Sequence, residues 1–280
     1  MTTAATFVCP VCSGPSALEH RLEDVTLCRC SRCGHCFADL DSIQDMEQYE
    51  ADYFEKEHRN WFRHPNLPLY GKLARIIVEH KPRAAVLDVG CGTGNFLRFL
   101  RSKSSELSLT GIDLAPNQDA AGIAYLQADF EHAEFGRQFD VVVSLAVIEH
   151  IADVAAFAKR MRDLCVPGGL VINLTIDEDS LIYGVARGLK RAGYSTPMKR
   201  LYSKHHVNHF TASSLRRLLE GQGLSTVRVI RHNSPMAAVD IPQTSALVGA
   251  ILLGGVWAGF QLGQWTGRTM LQTVVSKRVG

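Results

Sequence analysis

The stretch VLDVGCGTGNF, residues 86–96, decides the fold expected for this chain. Val86, Leu87 and Val89 are typical of a buried strand, and Asp88 lies near its end. Three glycines follow at every second position, which lets the backbone turn tightly and approach a ligand closely. The pattern therefore predicts a strand, a glycine-rich loop and the start of a helix.

Two phosphate-binding motifs do not fit this loop. A dinucleotide fingerprint would place a glycine at the position of Asn95, and a P-loop would end in Gly-Lys-Ser/Thr, which is absent. A plain strand-to-helix turn without a ligand stays open as an alternative.

Apolar strands and amphipathic helices alternate along the rest of the chain. The predicted strands are AAVLDV, LTGID, IAYLQAD, FDVVVSL, GGLVINLT and LSTVRVI, and the predicted helices are LYGKLARIIVEHK, NFLRFLRS, VAAFAKRMRDLC and ASSLRRLLEGQ. This alternation indicates an α/β fold, a doubly wound and mainly parallel sheet covered by helices on both faces.

With these motifs the chain resembles the class I S-adenosylmethionine-dependent methyltransferases over roughly residues 70–232. The resemblance is carried by LDVGCGTG, by Asp113 in TGIDLAP, by Asp129 in LQADF, and by FDVVVSLAVIEHI and CVPGGLVINL. It implies a seven-stranded Rossmann-like sheet with TMLQTVVSKR as its seventh strand, and S-adenosyl-L-methionine as the cofactor.

The resemblance also implies a cofactor site. Asp113 would bind the ribose hydroxyls, for which a carboxylate is a natural partner, and Asp129 would lie beside the adenine amino group. The expected cofactor-binding residues are Asp88, Gly90, Cys91, Gly92, Gly94, Asp113, Leu114, Asp129, Phe130 and Ser144. Asp113 as an exposed turn residue and Asp129 as a loop residue remain alternatives.

Histidines are the candidate bases if the acceptor must lose a proton. Methyl transfer is an in-line displacement that depends mainly on alignment, and histidine titrates near neutral pH. The candidates are His150, after the fourth strand of the core, and His206 and His209 in KHHVNHFT, although the pair Glu149–His150 can equally shape the pocket. Ala146 stands where some relatives have a metal-binding glutamate, which disfavours a catalytic metal.

Six of the eight cysteines precede residue 37. CPVC and CSRC form two Cys-x-x-Cys knuckles that resemble a zinc ribbon, with Cys9, Cys12, Cys30 and Cys33 as ligands of one structural zinc ion. Cys28 and Cys36 are possible substitutes, and a set of reduced thiols without metal is the alternative.

Three regions are therefore expected. Residues 1–40 form the zinc-ribbon module, and residues 41–82 form a helical connector and cofactor-site lid that is polar and contains Tyr49, Tyr53 and Phe54. Residues 83–280 form the methyltransferase domain with an apolar helical insertion at about 243–266.

The stretch SALVGAILLGGVWAGFQLG, residues 245–263, has no charged residue and is long enough to be a candidate membrane span. A seventh strand after it must return to the same sheet, which argues against one crossing. A helix that packs on the protein, forms a dimer contact or lies peripherally in a membrane interface is favoured.

These features favour a methyltransferase that acts on an O or C centre of a small molecule such as a sugar, quinone, lipid or secondary metabolite. RNA methylation guided by the ribbon and a non-catalytic cofactor-binding scaffold are the alternatives. Nucleic acid is an unfavoured partner because 30 basic residues face 28 acidic ones and the ribbon has no basic patch. MTTAATF lacks the pattern of a secretory signal, so we expect a cytoplasmic protein, with membrane association as an open alternative.

Overall fold

The computed structural model of the protein describes residues 7–43, 59–117, 120–241 and 245–280. The aromatic residues Tyr49, Tyr53 and Phe54 of the expected lid lie outside the described residues, as do positions 243 and 244 of the expected insertion. The strands are β1 (Phe7–Val8), β2 (Pro15–Arg21), β3 (Thr26–Cys30), β4 (Cys36–Ala38), β5 (Ala85–Val89), β6 (Ser108–Asp113), β7 (Ile123–Gln127), β8 (Phe139–Leu145), β9 (Cys165–Ile176), β10 (Asn208–His209), β11 (Leu224–His232) and β12 (Leu271–Arg278).

Helices connect most of these strands. They are α1 (Arg59–Arg63), α2 (Leu67–His80), α3 (Asn95–Lys103), α4 (Val154–Leu164), α5 (Leu181–Arg191), α6 (Thr196–Leu201), α7 (Ala212–Gly221) and α8 (Ala246–Thr266). Side chains cap several of their N-termini: Asn66 caps α2, Asp153 caps α4 and Ser180 caps α5.

Seven strands form one sheet in the order β11-β12-β9-β8-β5-β6-β7. Strands β7, β6, β5, β8 and β9 pair in parallel, whereas β12 pairs antiparallel with both β9 and β11. The predicted seven-stranded, mainly parallel sheet is confirmed, including TMLQTVVSKR as the strand that returns between β9 and β11.

Helices cover both faces of this sheet because successive residues of each central strand point to opposite faces. On β5, Leu87 packs in one buried cluster with Phe157 of α4, and Val86 packs in the other with Leu97 of α3. The carboxyl ends of β5, β6 and β8 therefore meet at one open edge between the two layers, where a doubly wound fold places its ligand.

A second, smaller sheet has the order β1-β2-β3-β4-β10. Its first four strands belong to the cysteine-rich N-terminal segment, but β10 comes from residues that follow α6. Asn208 pairs with Phe37 and His209 with Cys36, so the small sheet is completed by a strand of the core. The expected domain boundary at residue 40 stays a prediction, and this shared sheet ties the two sides of that boundary together.

Candidate active site

The glycine-rich turn after β5 is fastened to the end of β6. The backbone N–H groups of Gly90 and Cys91 donate to the carbonyl of Ile112 at 2.8 and 3.1 Å. Gly90 has φ of +65°, and a Cβ there would overlap the side chain of Val147. Only glycine fits this position, because both the conformation and the space exclude a side chain.

Asp113, at the end of β6, is held by backbone donors. Its Oδ2 accepts from the N–H of Gly92 at 2.8 Å, and its Oδ1 accepts from the N–H of Ala115 at 2.9 Å. Burial raises the pKa of the carboxyl, and the hydrogen bonds from Ala115, Gly92 and Leu114 oppose that rise. The side chain is thus fixed in one orientation beside the glycine turn.

The open edge of the sheet contains a cavity of about 380 Å³. Gly90, Asp113, Leu114, Asp129 and Phe130 of the predicted cofactor-binding set line it. The volume lies within the range of small-molecule sites, and most of the lining is apolar with a few converging polar groups.

A smaller recess of about 50 Å³ adjoins this cavity. Asp88 and Cys91 line the recess, and Gly90 contributes to both spaces. Burial first, and then the negative charge of Asp113, raise the pKa of Asp88 to about 8. Its Oδ1 has no hydrogen-bond partner among the described residues, which leaves a buried acceptor beside the turn.

Three residues of the predicted cofactor-binding set line neither space. Gly92 holds Asp113 through its N–H, and Gly94, with φ of +75°, is the N-cap residue just before α3. Ser144 is fully buried at the end of β8, next to Asn173 in the sheet register.

A short 3-10 turn, Ile148–His150, brings Glu149 and His150 to the other wall of the cavity. Glu149 is buried, its Oε2 accepts from the hydroxyl of Thr175 at 2.9 Å, and burial raises its pKa to about 7. His150 Nδ1 donates to the carbonyl of His205 at 2.7 Å. A neutral His150 therefore carries its lone pair on Nε2.

The candidate bases separate into two groups. His206 lines the cavity with His150, and their ring centroids are 4.8 Å apart. His209 does not line the cavity: it is fully buried against Tyr202, with ring centroids 4.4 Å apart, and burial lowers its pKa to about 3. The fold brings His150 and His206 together and keeps His209 behind them.

Glu149, His150 and His206 each offer a ligand atom, and these atoms all lie within 4.8 Å of one another. Such a group has the donor types and spacing to share a cation. The sequence did not show this cluster because His206 lies 56 residues after His150 in the chain. Ala146, at the position of a metal-binding glutamate in some relatives, had also disfavoured a catalytic metal.

The four predicted zinc ligands also converge. The sulfur atoms of Cys9, Cys12, Cys30 and Cys33 lie within 4.8 Å of one another, with 3.6 Å between Cys9 and Cys33 and 3.5 Å between Cys12 and Cys30. Four thiolates about 2.3 Å from one zinc ion in a tetrahedron would be about 3.8 Å apart, so the donor set fits that ion. Cys28 and Cys36 are also buried in this module, but they do not belong to the group of four.

A chain of hydrogen bonds joins the cysteine module to the cavity wall. His35, two residues after Cys33 and fully buried, donates through Nε2 to Asn208 Oδ1 at 3.0 Å. Asn208 Nδ2 then donates to the carbonyl of Ile151 at 2.7 Å, directly after the turn that carries His150. Sequence reasoning missed this link because it depends on the pairing of β10 with β4.

Other wall residues were also missed. Trp61 of α1 lines both the cavity and the recess, and Met270 and Leu271 line the cavity at the start of β12. The aromatic character of the connector was a signal for Trp61. Nothing in the pattern around Met270 distinguished a wall residue from a strand residue.

Residues 62–229 match the family model described as "Methyltransferase domain". The chain belongs to this family. The matched residues run from α1 into β11. They include the glycine turn, Asp113 and the turn that carries Glu149 and His150.

Curated relatives of this methyltransferase-domain protein include a ubiquinone biosynthesis O-methyltransferase from Ruegeria pomeroyi. It is 34% identical over 129 residues, which are 41% of this chain and 51% of the relative. The chain thus spans about half the length of that relative.

Solved structures show the same fold. A chain of the complex between the Haloferax volcanii Trm112 methyltransferase activator and its methyltransferase matches with a TM-score of 0.58 and 17% identity, covering 84% of this chain and 100% of that chain. Magnesium protoporphyrin IX methyltransferase from Synechocystis PCC 6803 with bound SAH matches with a TM-score of 0.52 and 14% identity, covering 81% and 97%.

Proposed function

We propose that this chain is an S-adenosylmethionine-dependent methyltransferase that methylates a hydroxyl oxygen of a small, largely apolar molecule. The observation that carries this proposal is one cavity with two different polar walls. The glycine turn and Asp113 form one wall, and Glu149, His150 and His206 form the other.

The first wall suits the cofactor. The oriented carboxylate of Asp113 can accept hydrogen bonds from a pair of ribose hydroxyls. At Gly90 the backbone can approach the ligand closely, and the uncharged turn suits a ligand that has no phosphate. Asp129, at the rim of the cavity, is the candidate partner for the adenine amino group. The bound cofactor supplies an electrophilic methyl group on a sulfonium.

The second wall suits an acceptor that loses a proton. His150 Nδ1 is engaged by the carbonyl of His205, so Nε2 is the atom that can take the hydroxyl proton as the new O–CH3 bond forms. His206 stands beside it and is the second candidate base. His209 is assigned a packing role instead, since it is fully buried away from the cavity.

The acceptor class follows from the remaining walls. Trp61, Phe157, Ile176, Met270 and Leu271 supply apolar surface, which favours an aromatic or lipid-like acceptor over a sugar. The ubiquinone biosynthesis O-methyltransferases among the relatives support oxygen as the attacked atom and a quinone precursor as the class.

We further propose that Cys9, Cys12, Cys30 and Cys33 bind one zinc ion with a structural role. The closed set of four sulfur donors leaves no position for a substrate. The observed sulfur separations support this assignment.

Calorimetric titration with S-adenosylhomocysteine, with zinc counted on the same sample, tests the cofactor site. We expect one bound S-adenosylhomocysteine and one zinc per chain. Methyl transfer from labelled S-adenosylmethionine to dihydroxybenzoates with and without an isoprenoid substituent then tests the acceptor, with His150→Ala as the comparison.

Absence of S-adenosylhomocysteine binding by the folded protein would contradict the proposal. Binding without methyl transfer to these phenols or to any fraction of a cell extract would instead support a non-catalytic scaffold.

A further inference from the structure

Helix α8 exposes an apolar surface that the fold does not cover. Trp265 is 89% exposed, Leu247 is 72% exposed and Ile251 is 64% exposed. Of its 21 residues, Gly249, Phe260 and Gly263 are buried. Within the part of the chain that the structure describes, this is the one helix long and apolar enough to cross a bilayer on length and composition.

A single crossing conflicts with the connections of the helix. Asn60 Nδ2 donates to Asp240 Oδ1 at 2.6 Å, which ties the chain to α1 just before the helix. The six steps from Asp240 to Ala246 reach at most about 22 Å, less than the roughly 30 Å of a bilayer core. After the helix, Leu271 pairs with His232 of β11, so the chain returns to the sheet at once.

The side of α8 that contains Gly259 and Gly263 packs against the protein itself. A Cβ on Gly259 would lie 3.4 Å from Ile182 of α5, and one on Gly263 would collide with the backbone of Arg268. These two glycines therefore serve the packing of α8 on its own protein. The surface left outside contains bulky side chains and two tryptophans, which is typical of the interface of a membrane.

The neighbouring helices supply positive charge. From Ser180 to Leu219 the sequence contains no Asp or Glu, and the last turns of α5 and α6 carry Lys190–Arg191 and Lys199–Arg200. Lys199 pairs with Glu23 at 2.5 Å, so Lys190, Arg191 and Arg200 supply the remaining positive charge. Helix α5, which packs on α8, also exposes Val185 and Leu189. Residues 241–280 carry three basic residues and no acidic one. Helix α5 packs on α8 and α6 packs on α5, so an apolar helix adjoins a basic helical layer, which matches a surface with negative headgroups.

We propose that α5, α6 and α8 form a docking surface for an anionic lipid bilayer, with α8 lying in the plane of the interface. Met270 and Leu271, which follow α8 directly, line the cavity. Docking therefore brings one wall of the cavity towards the bilayer. Lipid binding does not depend on methyl transfer, so the vesicle assay can contradict the docking surface without contradicting the proposed activity, and the transfer assay can do the reverse.

Vesicle sedimentation of the full chain tests the surface. Vesicles of phosphatidylcholine with phosphatidylglycerol should retain the protein, and vesicles of phosphatidylcholine alone should retain much less. Tryptophan emission should shift to shorter wavelength on binding, because two of the chain's three tryptophans, Trp257 and Trp265, lie on α8.

Ile251→Glu should weaken vesicle binding roughly tenfold or more, since it puts a charge into the exposed apolar face of α8 that would enter the bilayer. Val227→Glu is the matched control: Val227 is 61% exposed on β11, and its replacement should leave binding unchanged. The double variant Arg191→Glu with Arg200→Glu should remove the preference for anionic vesicles.

Failure to bind anionic vesicles would overturn the proposal, as would equal loss of binding in Ile251→Glu and Val227→Glu. A stable dimer in light scattering that Ile251→Glu dissociates, without vesicle binding, would assign the surface to a second copy of the chain.

Discussion

Asp113 is the residue at which the cofactor site can be tested most directly. Its two oxygens are oriented by Gly92 and Ala115. Asp113→Ala should weaken S-adenosylhomocysteine binding by about 1.5 to 3 kcal/mol, or roughly 10- to 150-fold, because charge-assisted hydrogen bonds are lost. Calorimetric titration measures this change.

Asp163→Ala is the control for that experiment. Asp163 is half-buried on α4, pairs with Lys159 and Arg162, and does not line the cavity, so its removal should leave the affinity unchanged. Equal affinity in Asp113→Ala and the natural protein would show that the cofactor does not use the end of β6.

Asp88 predicts a pH dependence of stability. Its pKa is raised from 3.8 to about 8 in the folded protein, so the folded state binds a proton that the unfolded state has released above about pH 4. Stability must then fall as pH rises towards 8, because the native state holds more protons. Asp88→Asn should lose about 1 kcal/mol less stability between pH 7 and 8 than the natural protein.

Urea unfolding at pH 7 and pH 8 measures that difference. Glu149, whose pKa is about 7, and the buried histidines are present in both proteins, so their titration contributes equally to both pH slopes and cancels in the comparison. Identical pH slopes in both proteins would contradict the buried, protonated state of Asp88.

At the scale of elements, the cysteine knuckles and β10 form one unit with the cavity wall. Cys12→Ser should release zinc and loosen the small sheet. Because His35 and Asn208 connect that sheet to Ile151, we expect methyl transfer to fall while S-adenosylhomocysteine affinity changes little. Zinc content, calorimetry and the transfer assay on one preparation check all three outcomes.

Cys28→Ser is the matched variant, since Cys28 is buried in the same module but outside the group of four sulfurs. It should retain zinc. Retention of zinc by Cys12→Ser together with its loss from Cys28→Ser would move the ligand set to the alternative cysteines.

At the scale of the whole molecule, a partly buried ion pair joins the N-terminal module to the core. Arg29 donates through Nη2 and Nη1 to the two carboxylate oxygens of Glu178 at 2.5 and 2.9 Å, and Tyr202 and Arg187 complete the network. Arg29 is 29% exposed and Glu178 only 1%. The contacts hold the pKa of Glu178 below its usual value despite burial.

Arg29→Ala should lower the free energy of unfolding by about 3 kcal/mol, because it leaves the buried Glu178 without its main partner. Lys159→Ala, which breaks the exposed pair with Asp163, should cost about 1 kcal/mol or less. Chemical denaturation of both variants provides the comparison, and equal costs would show that the two modules are not coupled through this pair.

The seven strands of the large sheet and most helix positions could be predicted from the sequence, and so could the meeting of the ends of β5 and β6 at one edge of that sheet. The periodicity of apolar residues and the glycines of VLDVGCGTGNF are local features of the sequence, and such features determine where helices, strands and tight turns form. The convergence of Cys9, Cys12, Cys30 and Cys33 was equally local, since both knuckles carry their own spacing.

Only the tertiary structure decided which histidines face the cavity. His206 and His209 are three residues apart, but His209 belongs to β10 and is buried in the interior, whereas His206 lies beside His150. The same pairing of β10 with β4 connects the cysteine module to the core. Contacts between residues far apart in the chain depend on packing, so the sequence determined the elements and the fold, and packing decided which side chains meet at the site.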